Sequence, residues 1–579
     1  MSWIFGFIQL KNENTITWQN SNSELLFKYN SEKVKMYAGG NSENIFFSES
    51  NENGGWIVCG TGIKIGESSS SLLTKTDWNE ILNRKNIENE IGNLGGHFVI
   101  VKWDKDKIGF FTDTLGLRDI YLLRKDDSFF FTTRIDWLTK ISNLDLDTGI
   151  FSTRWNMFNQ LSHRSIFKGI ERIIGGRYIT INLDKDLLVQ SKLINPPDKT
   201  INKIYGIDEF NNDLESIINL DLSGSGNLSM SLSGGMDSRV ILSYLLKSLN
   251  KKFETHTFGD SAHPDSKIAS KIAKDFNLVH EQIDITEQSS DQLIKQMGEY
   301  VSQTLLNNAA SSIFQLNNYS KLANRNLVIV DGGFGEIWRR EFFYKLYLKG
   351  REKLISKNIE GILPYLMYNR ANIFSGDVIS KMKTGMIEQV AEMFDQLPEL
   401  NNSTLENWLD EFAIKTRLTN FYSHEQSRLD HYVTSYMPFI QPKLLRNLFA
   451  MPGELRRNGK LFREIIKLNS PSLRKYSLAK GNSSHPFCLN SLQSRAWGLL
   501  QNKLNVGLYN NYRLHEQFDK LKEFIFDSYT SQSVKEFGLY DYTKIKNIVE
   551  GYYNGNKNLI SQVDWWLSFE LFRQYYFKK

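Results

Sequence analysis

The sequence predicts a sheet-rich α+β sandwich followed by an α/β domain whose C-terminal part is helical. Three observations carry this. Up to about residue 190, short runs of Phe, Ile, Val, Tyr and Thr alternate with polar turns, as antiparallel strands require. From about residue 206, helical periodicity is interrupted by brief apolar strands, the pattern of a doubly wound domain. Beyond about residue 340 the periodicity is almost wholly helical. At 579 residues the chain exceeds one compact core, and about two to four domains are expected.

In chain order, "HFVIVKW", "KIGFFTD", "SFFFTTR" and "GRYITINLD" are the strands of the first part. The Pro-rich polar stretch "NPPDKTINKIYG", from Asn195 to Gly206, reads as a linker and separates residues 1–195 from 206–579. Strands then fall on "GNLSMSL", "FETHTFG" and "NLVIV", with helices on "SRVILSYLLKSLN" and "DSKIASKIAKDF" between them. In the second helix Ile268, Ile272 and Phe276 recur at four-residue spacing and share one face. "REFFYKLYLKG" and "VDWWLSFELFRQYYF" continue the helical texture, without internal repeats.

Composition narrows the class. A hydrophobic share of 41% and an aromatic share of 13% suit globular packing. The apolar runs fall short of the roughly 20 residues that cross a bilayer, so neither a transmembrane helix nor a membrane partner is expected. "MSWIFGFIQL" lacks a charged leader and a cleavage site. Cys59 and Cys488 make neither a disulfide framework nor a zinc cluster, so a cytoplasmic location is expected. Lys and Arg are interleaved with Asp and Glu at a net charge of +5, which does not call for nucleic acid.

The chemistry concentrates in "SLSGGMDSRV", Ser231 to Val240. A strand ending at Ser233 and a helix starting near Ser238 place unpaired backbone N–H groups at a helix N-terminus, where an anion is favoured. Gly234 and Gly235 let oxygens approach the backbone, Ser233 and Ser238 add hydroxyls, and Asp237 suggests a divalent cation shared with the anion. Alone, such a Gly-Gly pair describes a tight turn with an Asx cap better than an anion site. The string is neither a Walker A loop nor a GxGxxG fingerprint.

It resembles the SGGxDS pyrophosphate loop of the PP-loop ATP pyrophosphatases. "THTFGDSAHPDSKIASKIAKDF" and "VIVDGGFGEIWRR" resemble the second and third blocks of the asparagine synthetase branch. The resemblance implies an α/β PP-loop (adenine nucleotide alpha hydrolase-like) synthetase domain over 206–579 that uses ATP and Mg²⁺. On it, Leu232 and Phe258 flank adenine, Asp265 supports the loop, Asp331, Gly332 and Gly333 belong to the nucleotide site, and Asp237 with Asp331 holds metal. Glu336 falls on the family's terminal Glu, whereas Gly335 replaces the aspartate of the second metal contact. "LRKYSLAKGNSSHPF" resembles the stretch whose lysine meets the adenylate, which assigns Lys480, with Lys460 and Arg463 in support. Glu336, Glu425 and Asp430 are the candidate general bases.

Residues 1–195 resemble the N-terminal-nucleophile (Ntn) class II glutamine amidotransferase domain of asparagine synthetases through "LGGHFVIVKWDKDKIGFFTDTLGLRDIYLL" and "SIFKGIERIIGGRYITI". Ser2 stands where that family has its cysteine, and the glutamine-gripping motifs are missing, so an inactive domain is expected. Loss of the nucleophile with both domains kept resembles β-lactam synthetases and lasso-peptide macrocyclases. The implied activity is adenylation of a carboxylate and its coupling to an amine without glutamine, on a small-molecule or peptide substrate, with peptide-maturation partner proteins in the macrocyclase case. Intermolecular amidation of a sugar acid or amino acid, and a non-catalytic nucleotide-binding scaffold, stay open.

Overall fold

A computed structural model describes residues 2–9, 25–49, 54–183, 189–193, 205–222, 226–248, 252–284, 288–504, 507–509 and 512–577. The protein is mixed α/β with an N-terminal sheet domain. Its first six-stranded sheet is antiparallel and runs Ile170–Ile173, Ile120–Lys125, Ser128–Thr132, Trp3–Gln9, Val34–Gly39, Leu25–Asn30. The second is built on the long Gly54–Ile65 and Gly95–Asp104 pair, flanked by Lys107–Thr112 and Arg177–Asn182.

The period of two in these strands decides the layering. Ile4 and Ile8 face the second sheet, meeting Ile57, Cys59, Val99 and Val101 in the sandwich core. Trp3, Phe5 and Phe7 face the other way, into a core shared with Trp565, Phe569 and Phe572 of the C-terminal helix Ile560–Tyr576. On the second sheet, Phe98 and Ile100 turn outward against Trp78 and Leu82 of the Lys75–Leu82 helix. The first part is therefore helix, sheet, sheet, helix, and its last layer comes from the far end of the chain.

The remainder is organised by a parallel sheet ordered His280–Ile283, Phe253–Phe258, Asn227–Ser231, Leu327–Val330, Thr434–Tyr436. The helices Ile207–Ile218, Met236–Lys247 and Pro264–Asp275 fall within this part of the chain. The last of these carries Ile268, Ala269, Ile272, Ala273 and Phe276 into or against the core around the central strand. Strand order reverses on either side of Asn227–Ser231, and a doubly wound sheet opens its binding crevice at such a point, beyond the carboxyl ends of the strands.

Helices dominate after residue 340, with a rare π-helix at Ala413–Tyr422 and short strands at Thr434–Tyr436, Leu478–Lys480 and Ser483–His485. The linker predicted at 195–206 lies outside the described residues except for Tyr205 and Gly206. Among the described residues, no helix is long and apolar enough to cross a membrane.

Candidate functional site

The Asn227–Ser231 strand delivers the chain to the crevice, and Gly235 N-caps the Met236–Lys247 helix. Between them the loop is tied from both sides. The Ser233 and Ser238 hydroxyls lie 2.9 Å apart, and Gly235 N–H donates to the Ser233 hydroxyl at 3.1 Å. Gly234 N–H donates to Asp265 Oδ1 at 2.9 Å, while the Gly234 carbonyl accepts from Ala479 N–H at 2.9 Å. A Cβ on Gly234 would fall 2.8 Å from the Ala479 methyl, so the close approach of these segments needs glycine.

Arg239, fully buried, donates to the Tyr476 and Ser477 carbonyls at 2.8 and 2.7 Å and lies over the Phe487 ring. It braces the loop against the segment that carries Lys480. Lys480 itself is exposed, at the end of the Leu478–Lys480 strand, and lines a cleft with Gly235, Met236, Asp237, Arg339 and Arg463. Arg463 is fixed by donating to the Phe487 and Leu489 carbonyls. Lys460 is exposed at the start of the helix that carries Arg463.

The neighbouring Leu327–Val330 strand ends in the turn from Asp331 to Arg339. Asp331 Oδ1 accepts from Gly333 N–H at 2.7 Å, Gly332 packs against Asp237 and Ser238, and buried Phe334 takes a left-handed φ of 62°. This turn presents Arg339 to Asp237. Nε donates to Oδ1 and Nη2 to Oδ2, both at 2.8 Å, and Nη1 reaches Glu341 at 2.7 Å. Burial pushes the Asp237 carboxyl up, to about 7, with the Glu336 and Glu341 charges adding to the rise and Arg339 opposing it. Burial raises the Asp331 carboxyl as well, and Glu336 contributes.

Leu232 is buried, with its carbonyl accepting from the Thr257 hydroxyl at 2.6 Å, and the Phe258 ring centroid is 4.5 Å from that of Tyr319. The loop, Asp265, the 331–336 turn and Lys480 thus converge on one edge of the sheet. The carboxylates expected to hold Mg²⁺, Asp237 and Asp331, already have partners. Both Asp237 oxygens are held by Arg339, Gly335 supplies no ligand, and Asp331 spends one oxygen on its own turn. Among the described residues, no group of three or more His, Cys, Asp or Glu side chains is arranged to hold a metal ion. Magnesium keeps several waters and is usually held by one or two carboxylates together with substrate phosphates, so an ion at this loop would have to take Asp237 from Arg339.

Two of the candidate bases lie elsewhere. Asp430 is buried in the N-terminal domain junction, paired with Arg118 and 2.7 Å from His97 Nε2. The Ser2 hydroxyl donates to the Asp430 carbonyl at 2.9 Å, and Arg118 donates to the Ser2 carbonyl at 2.6 Å. Burial and the Arg118 charge push His97 down to about 3. Glu425 accepts from the Tyr300 hydroxyl at 2.6 Å and from Arg428 Nε at 3.2 Å. Glu336 alone of the three has charge that acts on both Asp237 and Asp331.

Arg339 and Arg417 are residues that sequence reasoning missed. Arg417 sits in the π-helix with its guanidinium 3.8 Å from the Phe158 centroid and 4.7 Å from that of Phe421, and it interacts with Tyr422 and Glu336. A π-helix often marks a functional site, yet its sequence carries no distinctive period. For Arg339 the signal available was the pair of arginines closing "VIVDGGFGEIWRR" beside a missing carboxylate at position 335.

Residues 209–330 match the family described as asparagine synthase, a stretch that contains the loop, Phe258, Asp265 and the strand leading to Asp331. No curated protein matches the sequence. Among solved structures, the chain is similar to one titled "structure of the allosteric regulatory enzyme of purine biosynthesis", at 12% identity over 57% of this chain and 68% of that one, with a TM-score of 0.21. It is also similar to glutamine phosphoribosylpyrophosphate amidotransferase from B. subtilis complexed with ADP and GMP, at 13% identity over 58% and 71%, with a TM-score of 0.19.

Proposed function

We propose that the protein is an ATP-dependent, AMP-forming amide ligase of asparagine synthetase-like type that does not draw nitrogen from glutamine. The observation that carries this is the Ser233–Ser238 loop at the reversal point of a parallel sheet, facing Lys480, inside the stretch that matches asparagine synthase. The first-turn N–H groups of the Met236–Lys247 helix and the Ser233 and Ser238 hydroxyls bind pyrophosphate oxygens. A carboxylate oxygen of the substrate attacks the α-phosphorus, the bond to the bridging oxygen breaks, and pyrophosphate leaves on the loop. An amine nitrogen then attacks the acyl carbon and AMP departs, with Glu336 taking the amine proton. Lys480 stabilises the charge that develops on the α-phosphate.

The buried cluster of Ser2, Arg118, His97 and Asp430 supports independence from glutamine, because a carboxylate from the second part of the chain occupies the arginine and Ser2 itself is buried. The amine then belongs to the substrate itself, as in cyclisation of a peptide or natural-product precursor, or to a second small molecule.

The test supplies the full chain with ATP and panels of amino-carboxylate substrates and follows AMP and pyrophosphate. Lys480→Ala is expected to lower substrate-dependent AMP release by about a hundredfold. Absence of AMP under every condition overturns the ligase reading. The Asp237–Arg339 pair favours one second reading, a nucleotide-binding scaffold, which predicts ATP binding without AMP formation.

A further inference from the structure

We infer that Arg339 is the resident counter-cation of Asp237, and that the Ser233–Ser238 loop takes its polyphosphate ligand free of divalent metal. This rests on the reading of the loop as a nucleotide site. The pair has the planar two-point geometry that a guanidinium makes with a carboxylate, with both contacts at 2.8 Å. A magnesium ion would have to displace a permanently charged group that is also anchored on Glu341.

Position 335 shows why this arrangement excludes a second acid. A Cβ there would lie 2.6 Å from Asp237 Cγ, so Asp237 in its Arg339-bound position occupies the space that any side chain at 335 would need. Backbone and pair are matched to each other. The turn reaches that contact through Phe334 and Arg340 at φ of 62° and 56°, conformations that unbranched L-residues adopt only at a cost. The remaining cations of the cleft, Arg463 and Lys480, are not paired with Asp237, and Lys480 is exposed. They supply fixed positive charge to an incoming phosphate chain, the service that a metal performs elsewhere.

Calorimetric titration of the full chain with ATP, once in excess EDTA and once in excess Mg²⁺, tests the inference. Wild type is expected to bind ATP with affinities within about threefold of each other in the two buffers. Arg339→Ala, which frees the Asp237 carboxylate, is expected to acquire Mg²⁺-dependent binding of about tenfold or more. Should that variant fail to fold by circular dichroism, the wild-type ratio and Arg339→Lys, which cannot make the two-point contact, decide the matter. Wild-type affinity that tightens by about tenfold or more with Mg²⁺ overturns the inference and leaves the nucleotide site standing. Failure to bind ATP in either buffer overturns both.

Discussion

Replacing Asp430 with asparagine removes the carboxylate that faces Arg118 inside the junction of the two parts of the protein. Arg118 and Asp430 are both buried, and His97, held down to about 3, provides no alternative charge. After the change the guanidinium keeps only neutral partners, the Ser2 carbonyl at 2.6 Å and the Cys59 sulfur at 3.0 Å. Two unit charges about 4 Å apart at an effective dielectric of about 20 attract by about 4 kcal/mol. Orphaning one member of a buried pair costs about 3–5 kcal/mol, so Asp430→Asn should destabilise by about that amount. Urea denaturation followed by tryptophan fluorescence measures it. Adding Arg118→Met removes the stranded charge and should recover about half of the loss or more, since an uncharged replacement of a buried pair is often close to neutral. A loss below about 1 kcal/mol in the single variant, or strictly additive losses in the double, would refute the reasoning.

Other outcomes follow from the same geometry. Gly335→Ala drives a methyl to within 2.6 Å of Asp237 Cγ and should cost about 1–3 kcal/mol while disturbing the Arg339 pair, seen as a lower urea midpoint. His256 is bonded through both ring nitrogens, to Ser229 and Ser231 at 2.8 and 2.9 Å, and burial holds it down to about 3. Its depressed value means that its stabilisation is present above the unfolded value of 6.5 and is lost as pH falls toward about 3. Between about pH 7 and about pH 5 the stability advantage of wild type over His256→Asn should therefore shrink by about 2 kcal/mol, and a gap that stays constant would contradict this. Ser2→Cys should release no glutamate from glutamine, because the side chain is enclosed by Asp430 and Asn41; measurable hydrolysis would show that the junction opens.

The strands were legible because their physics is local. The aromatic and β-branched run "HFVIVKW" and the apolar brevity of "NLVIV" report strand preference within a few residues, and each became a strand, Gly95–Asp104 and Leu327–Val330. The strand-loop-helix at Ser233 was legible for the same reason. What the sequence hid is pairing at a distance. Asp237 and Arg339 are 102 positions apart, and Ser2 and Asp430 are 428 apart. An aspartate after Gly-Gly reads as a metal ligand until the guanidinium that holds it is seen. Arg239 looks equally suited to a phosphate, and only the fold turns it toward the 476–477 carbonyls. The role of the last helices was also hidden, because an aromatic-rich helix announces that it is buried but not against what.

That last partnership alters how the chain can be divided. Phe167 lies against Phe572 and Tyr576, Trp155 against Trp565, and the Tyr575 hydroxyl donates to Asp136. The polypeptide closes on itself like a belt whose buckle joins its first strand to its final helix. Proteolysis between residues 193 and 205 would therefore give two fragments that stay together and elute as one species. Expressing the N-terminal part alone would leave the Trp3, Phe5 and Phe7 face without its cover. Trimming the C-terminus strips a layer from the opposite end of the sequence, and deletion maps of this protein should be read as perturbations of both ends at once.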